Sequence, residues 1–218
     1  MNGLPARVVF AVHAVYWISV LSLALSRRAS GRRSGLVPAA PVERKLWVGF
    51  VPAVAILVAA PAAAAWGGWE GLPLLSGPLA GSIAVRALRG AAAILAVACL
   101  ACTAVCWRRL GSSWSVASLD GETAALVTGG PFAVVRHPIY ALGSVLALAT
   151  VVVVPSLPVL LAGALYVFLL RRKARFEEEV LGRRHPEEWR SYSASTGFFL
   201  PRPCSRCLGQ GRLRDQNR

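Results

Sequence analysis

The sequence contains few charged residues, and acidic ones are especially scarce. Of its 218 residues, 16% are charged, with 24 Lys or Arg against 10 Asp or Glu. A soluble domain carries about a quarter charged residues. Hydrophobic residues make up 56% of the chain and occur in blocks. The composition therefore excludes an ordinary soluble domain and indicates a polytopic membrane protein.

Other absences narrow the choice of function. The five cysteines do not form the pattern of an extracellular disulfide framework. No cluster of His, Cys, Asp and Glu has metal-ligand spacing, so we expect no metal site. The net charge of +14 is not interleaved with stacking aromatics on a soluble segment, so we expect no nucleic-acid binding. Without an inverted repeat, a channel or transporter is also disfavoured.

Long apolar runs predict the membrane spans. Segments 4–26, 46–66 and 89–107 are each close to the roughly 20 residues that a spanning helix needs. The run 139–170 is too long for one span, and the stretch PSLP interrupts it near its middle. We therefore predict a helical hairpin over residues 139–170.

The distribution of basic residues predicts the orientation. Under this scheme only Arg7, Arg86 and Arg89, of 24 basic residues, fall outside the membrane on the far side. Because cytoplasmic loops are rich in Lys and Arg, we expect five spans with the N-terminus outside and the C-terminus inside. The predicted fold class is all-α: a polytopic membrane protein with about five transmembrane helices, a C-terminal helical hairpin and a cytoplasmic-facing pocket. If the source is bacterial, we expect the protein to reside in the cytoplasmic membrane.

Two polar clusters flank the predicted hairpin. The first is LVTGGPFAVVRHPIY, residues 126–140, and the second is RRKARFEEE, residues 171–179. Because a hairpin leaves and returns to the same face, the two clusters should be neighbours. Ionisable groups beside a membrane segment are a functional-site hypothesis by default.

The clusters offer a recognisable set of ligand-binding groups. Arg136 and Lys173 can neutralise a carboxylate or phosphate, and Glu177 or Glu178 can accept from a ribose hydroxyl or an ammonium group. Aromatic side chains that can stack on a flat ring or face a cation are Phe132, Tyr140 and Trp189. Structural explanations remain open: Lys173 and Glu177 could form only a helix ion pair, and His137 could only mark a helix start before Pro138.

The same residues resemble a known family. LVTGGPF followed by RHPIY is similar to a pattern in the membrane isoprenylcysteine carboxyl methyltransferases and the related phospholipid N-methyltransferases. After a hairpin those proteins carry EExxL, a pair of tyrosines and a closing proline. The corresponding residues here are Glu177, Glu178, Leu181, Trp189, Tyr192 and Pro201, and an earlier LGxxW motif is similar at Leu110, Gly111 and Trp114. The resemblance covers roughly residues 108–203.

The resemblance implies S-adenosylmethionine as methyl donor. The cofactor-binding residues that it implies are Leu126, Val127, Phe132, His137, Tyr140 and Glu177, with Glu178 beside them. The candidate catalytic residues are Arg136 or Lys173, either of which would orient an acceptor carboxylate, with Arg175 or Arg172 as a substitute for Lys173. The sequence departs from the family pattern in five places. Phe132 and Trp189 stand where tyrosines are usual, and Lys173 where the family has Arg. Gly143 comes one residue later than the family glycine, and His185-Pro186 stands where Phe-Gly is common.

The resemblance also implies a domain organisation and a set of activities. We expect three spans in residues 1–107, a methyltransferase core in 108–203 and a polar, disordered tail in 204–218. The leading function is carboxyl O-methylation of an isoprenylcysteine-like or other lipophilic acid. The alternatives are N-methylation of a phospholipid or small lipid, with Glu178 or His137 as base, an NADPH-dependent membrane reductase, and a non-enzymatic lipid-binding protein. The expected partners are a lipophilic or prenylated acceptor and membrane lipids.

Overall fold

Six α-helices make up most of the described chain. The structure, a computed structural model, describes residues 3–31, 40–68, 73–75, 77–115 and 126–202. The helices are α1 (Leu4–Ala29), α2 (Pro41–Ala65), α3 (Ile83–Leu110), α4 (Pro138–Val153), α5 (Leu157–Arg184) and α6 (Pro186–Ser195). Single 3₁₀ turns occur at Pro78–Gly81, Gly111–Ser113 and Gly130–Ala133. No β-strand occurs within these ranges, so the predicted all-α class is confirmed.

The helix boundaries follow local sequence signals. Five of the helices (α1, α2, α4, α5 and α6) have Pro in their first turn, where its missing N–H would have no partner in the helix anyway. The exception, α3, begins after Ser82, whose hydroxyl oxygen accepts from the Val85 amide at 3.3 Å. Arginines end α1, α3 and α5, where positive charge is favourable next to the helix carbonyls.

Three of the described helices are long and apolar enough to cross a membrane, namely α1, α2 and α3. The apolar helix α4 is shorter, with 16 residues, and α5 combines an apolar first half with a charged second half. The prediction of five spans is therefore not confirmed, although an integral membrane protein is. Two features explain the difference: α4 has only 16 residues, and the sequence reading ended the fifth span at residue 170, whereas α5 continues with charged residues to Arg184.

The helices pack through small side chains. Helix α3 lies against α1 and α4, and α2 lies against α1 and α5. Many buried contact residues are alanine: Ala53, Ala60, Ala92, Ala93, Ala96, Ala147, Ala149 and Ala162. Between membrane helices the packing is driven mainly by van der Waals contact, and small residues let the backbones approach closely.

The predicted hairpin is present and positions the two polar clusters. Helix α4 ends at Val153 and α5 begins at Leu157, and the Leu74 amide donates to the Pro155 carbonyl at the connection, 2.9 Å away. The start of α4 and the charged half of α5 consequently meet at the other end of the bundle. The predicted domain division at residue 107 stays a prediction, and the predicted tail 204–218 lies outside the described residues.

Candidate active site

A cavity of about 520 Å³ lies between α1, α2, α5 and residues 126–140. Its aromatic lining consists of Tyr16, Trp17, Trp47, Phe50, Trp107, Trp114, Phe132, Tyr140, Tyr166, Trp189 and Tyr192. Its ionisable lining, which we call the polar rim, consists of Glu43, Arg136, His137, Lys173, Glu177 and Arg184. An apolar chamber with a few convergent polar groups is the usual form of a small-molecule site.

The C-terminal segment 197–200, here named the clasp, holds the RHP turn in place. The Arg136 amide donates to the Gly197 carbonyl at 2.8 Å, and the Gly197 amide donates to the Val134 carbonyl at 3.2 Å. The His137 amide donates to the Phe198 carbonyl at 3.3 Å. Only glycine fits at position 197, because a β-carbon there would overlap the backbone carbonyl of Leu200. The turn is thereby fixed by main-chain bonds rather than by side chains alone.

Arg136 links this turn to α5 and α6. Its Nε donates to Glu178 Oε1 at 2.6 Å, and one terminal nitrogen donates to the carbonyls of Ser193 and Thr196 at 3.0 and 2.6 Å. Nε2 of His137 lies 3.2 Å from the same Glu178 oxygen. Burial alone would raise the pKa of Glu178, but hydrogen bonds and charge from His137 and Arg136 outweigh it and hold that pKa below its ordinary value. Glu178 is therefore a carboxylate at neutral pH.

A second chain of ionic contacts crosses the rim. The Tyr140 hydroxyl donates to Glu177 Oε1 at 2.5 Å. Nζ of Lys173 lies 3.5 Å from that same oxygen and donates to Glu43 Oε1 at 3.3 Å. The Glu43 side chain is only 1% exposed and that of Lys173 13%. The rim thus places two carboxylates around one ammonium group at the start of the chamber.

Aromatic rings surround His137. Its ring stacks on Tyr140 with 5.7 Å between centroids, and it meets Phe198 edge-on at 5.2 Å. Phe198 and Phe199 stack on each other at 4.6 Å. The imidazole is buried, so these contacts and the Glu178 bond fix its orientation.

Helix α6 closes the site from the side. The Tyr192 hydroxyl donates to the Phe132 carbonyl at 2.7 Å, and burial raises the pKa of that hydroxyl to about 12. Trp189 packs edge-on against Tyr192 with 5.8 Å between ring centroids. Trp189 and Tyr192, which correspond to the tyrosine pair of the sequence motif, therefore line the cavity. Tyr192 also supports the turn that contains Phe132.

The structure brings most predicted site residues together. The cavity is lined by Leu126, Val127, Phe132, Arg136, His137, Tyr140, Lys173 and Glu177. Glu178 lies behind them, bonded to Arg136 and His137. Arg175 is exposed and does not line the cavity. The chemical roles assigned to these residues from the sequence stay predictions.

Glu43 on α2 is a rim residue that the sequence analysis missed. A signal for it exists, because Glu43 is the first acidic residue of the chain and the only one before residue 70. It stands next to Arg44 and Lys45 in a segment that is otherwise basic or apolar. A lone carboxylate at a span boundary in such a chain indicates a specific partner, and here that partner is Lys173.

Within the described ranges, no group of three or more His, Cys, Asp or Glu side chains could hold a metal ion. The described chain is therefore all-helical, and its main cavity is lined by aromatic rings and bordered by charged side chains held in hydrogen bonds. Such a site can hold a polar reactant against a lipophilic one.

Comparison with known families agrees with this class. The model of the isoprenylcysteine carboxyl methyltransferase (ICMT) family matches residues 91–183, which include α4, most of α5 and all of the predicted catalytic residues. The family resemblance seen in the motifs is therefore confirmed, and it supports a membrane methyltransferase. No curated protein matches the chain.

Proposed function

We propose that this protein is an S-adenosylmethionine-dependent methyltransferase that methylates the carboxylate of a lipophilic acid, such as an isoprenylcysteine. The observation that carries the proposal is that the polar rim and the aromatic chamber between α1, α2 and α5 belong to one continuous cavity. A polar cofactor and an apolar acceptor would then meet at one point.

The rim fits the proposed cofactor by its donor set. S-adenosylmethionine carries a carboxylate, an ammonium group, a ribose diol, a flat adenine ring and a sulfonium cation. The rim supplies carboxylates from Glu177 and Glu43, cations from Arg136 and Lys173, and the stacked rings of His137 and Tyr140. Leu126, Val127 and Phe132 add an apolar wall. When bound, the cofactor would supply the electrophilic methyl group.

For a carboxylate acceptor, this chain has to position groups and exclude water rather than move a proton. The acceptor is already anionic at neutral pH, so it needs no general base. The Lys173 ammonium can orient the carboxylate, while the aromatic chamber holds the apolar part and keeps water away. Arg136 would act by positioning, since its Nε and one terminal nitrogen are bonded to Glu178 and two backbone carbonyls.

The proposed orientation places the rim at the cytoplasmic face. The arginines that end α1 and α3 and those in the charged half of α5 all lie at the rim end of the bundle. An excess of Lys and Arg marks the cytoplasmic side of a membrane protein. A cofactor made in the cytoplasm would reach the rim directly.

An amine acceptor is the second candidate, and Glu43 favours it. Lys173 already faces two carboxylates, Glu43 and Glu177, at 3.3 and 3.5 Å. A further acceptor carboxylate would compete with both, whereas an ammonium or amine headgroup would be attracted to them. An amine acceptor must lose a proton, for which His137, which lines the cavity, is a candidate base, as is Glu178 behind it.

Ligand-dependent thermal stability of the detergent-purified protein tests the cofactor. S-adenosylmethionine and S-adenosylhomocysteine should stabilise the protein, by about 2.7 kcal/mol at 100 times the dissociation constant. Glu177→Ala and His137→Ala should abolish the stabilisation by the adenosyl ligands. Arg175→Ala is the control and should retain it, because Arg175 lies on the exposed side of α5, the helix that carries Glu177. A shift with NADPH and none with the adenosyl ligands would overturn the proposal in favour of a reductase.

The acceptor is tested by the chemical stability of the product. The protein is incubated with S-adenosylmethionine labelled in the methyl group and either a prenylcysteine acid or an aminophospholipid. A carboxyl methyl ester releases labelled methanol in mild base, whereas an N-methyl group does not. Base-labile product from the acid supports the leading proposal, and base-stable product from the amine alone supports the second. Glu43→Gln should raise activity toward the acid and lower it toward the amine.

A further inference from the structure

A second, smaller cavity lies deep in the bundle and is lined by a histidine. This His13 pocket has a volume of about 10 Å³ and is formed by His13, Tyr16, Gly143 and Tyr166 together with apolar side chains. His13 lies on α1 within the window of apolar residues that could cross a membrane. Ionisable residues at such a depth are rare and expensive, and they usually serve a function.

The hydrogen bonds around His13 fix its tautomer. Nε2 of His13 lies 2.9 Å from the Thr150 hydroxyl oxygen. That hydroxyl has one proton, and it donates it to the Leu146 carbonyl at 2.9 Å. With that proton given to Leu146, the Thr150 oxygen accepts from His13, and this arrangement assigns the ring proton to Nε2. In a neutral imidazole the other nitrogen, Nδ1, is then an acceptor with an open lone pair.

This open lone pair is buried and has no hydrogen-bond partner among the described residues. His13 is 4% exposed. Buried acceptors are nearly always satisfied by protein or by an ordered molecule. The neighbouring space is about the minimum for one oxygen atom with its hydrogens, since a water site needs roughly 10–15 Å³ on this measure. The missing partner is thus a single hydrogen-bond donor of that size.

The His13 pocket adjoins the main cavity. Tyr16, Trp17, Val54 and Tyr166 line both spaces. The end of a long apolar molecule in the main cavity would therefore come against the walls of the pocket. Gly143 leaves room for the Tyr166 hydroxyl, because a β-carbon at position 143 would lie only 3.2 Å from it.

We propose that the His13 pocket is a binding site for one O–H donor, in which the donor's proton is accepted by His13 Nδ1. The donor is either the hydroxyl at the buried end of a long-chain lipid in the main cavity or a single water molecule. The proposal holds whichever acceptor the enzyme methylates, since it depends only on the pocket and the Thr150 bond.

Nitrogen NMR of the wild-type protein tests the proposal, with one variant used only to assign the resonance. The chain has three histidines, so ¹⁵N-histidine labelling gives few resonances, and His13→Gln identifies the one that matters. We expect His13 to be protonated at Nε2, with an Nδ1 resonance at the position of a nitrogen that accepts a hydrogen bond. The partly exposed residue His185, which lies 3.6 Å from Glu188, serves as the internal reference.

The two donors are separated by adding a probe. The sample is measured in detergent alone, with 1-dodecanol and with dodecane at the same concentration. An Nδ1 bond that is present in all three samples identifies water, and one that appears or shifts only with dodecanol identifies a lipid hydroxyl. A proton on Nδ1, or an Nδ1 that accepts no bond in any sample, overturns the proposal. Thr150→Val provides a second check. It removes the acceptor that keeps the proton on Nε2, so both tautomers of His13 should become populated and the Nδ1 resonance should change.

Discussion

The polar rim of the main cavity and the adjoining His13 pocket hold their polar groups in different ways. At the rim, Glu178 binds both Arg136 and His137, and Glu177 contacts Tyr140 and Lys173. In the His13 pocket, His13 makes one hydrogen bond, to Thr150. A network with several partners per group keeps charges fixed where cofactor and acceptor should react. A single bond that sets a tautomer leaves one nitrogen available to a molecule from outside.

The largest effect expected is at the clasp. Gly197→Ala should lower stability by about 3 kcal/mol, because the new β-carbon overlaps the Leu200 carbonyl and the backbone must move. We expect adenosyl-ligand binding to be lost while the helical circular-dichroism signal is retained, since the bundle does not depend on the clasp. Gly90→Ala on α3 is the matched control, because no atom lies within 4 Å of its β-carbon. Equal effects of the two substitutions would show that the clasp does not hold the rim.

Arg136→Ala should follow in size. It removes the bonds to Glu178, Ser193 and Thr196 and leaves a half-buried carboxylate with less support. We expect a loss of about 2 kcal/mol in thermal unfolding, less than for a fully buried pair because the Glu178 side chain is 22% exposed. Glu188→Ala removes an ionic contact with His185 on a 72% exposed side chain and should have almost no effect. A change in Arg136→Ala no larger than in this control would contradict the proposed role of the rim network.

Substitutions in the His13 pocket should lower stability less than those at the rim. Thr150→Val removes the partner of His13 Nε2 and should cost about 1 kcal/mol, the net value of one hydrogen bond. Thr103→Val is the matched control, since the buried Thr103 hydroxyl donates only to the Cys99 carbonyl of its own helix. The difference between the two melting temperatures isolates the contact with His13. Identical melting temperatures would mean that the His13 bond adds nothing to stability.

The smallest effect is in the pH dependence of stability. The pKa of Glu178 is lowered in the folded state from the ordinary value of 4.5, so its contribution is complete above that value. The contribution is lost as the pH falls through the lower, folded-state pKa, because the proton then binds the unfolded chain more tightly. Unfolding measured between pH 3 and 6 should show a steeper fall for wild type than for Glu178→Gln. Parallel curves would indicate that the Glu178 contacts do not favour its charged form.

The sequence predicted the rim better than the chamber. The closeness of Arg136 and Glu178, 42 positions apart, followed from the hairpin alone, because its two ends must meet. The exposure of Arg175 could also have been predicted from the sequence. Lys173 and Glu177 are four apart and share a helix face, whereas Arg175 is rotated by about 200° from Lys173.

The contacts that the sequence did not predict are those between separate spans. Glu43 and Lys173 are 130 positions apart, and His13 and Thr150 are 137 apart. Each pair depends on which faces of α1, α2, α4 and α5 pack together. Apolar spans rich in alanine carry little periodic information on that choice, because small residues occur on several faces and lipid and protein surroundings are similarly apolar.

The continuity of α5 couples the site to the thickness of the bilayer. Its apolar part, residues 157–170, is about 21 Å long, while a typical hydrocarbon layer is about 30 Å thick. Lys173 and Glu177 follow on the same helix, so in a thick membrane the lipid must thin locally to keep them hydrated, because an apolar segment shorter than the hydrocarbon layer is accommodated by thinning of the bilayer. Methyl transfer should therefore be fastest in short-chain lipids and fall as acyl chains lengthen, which makes the surrounding lipid a determinant of the rate.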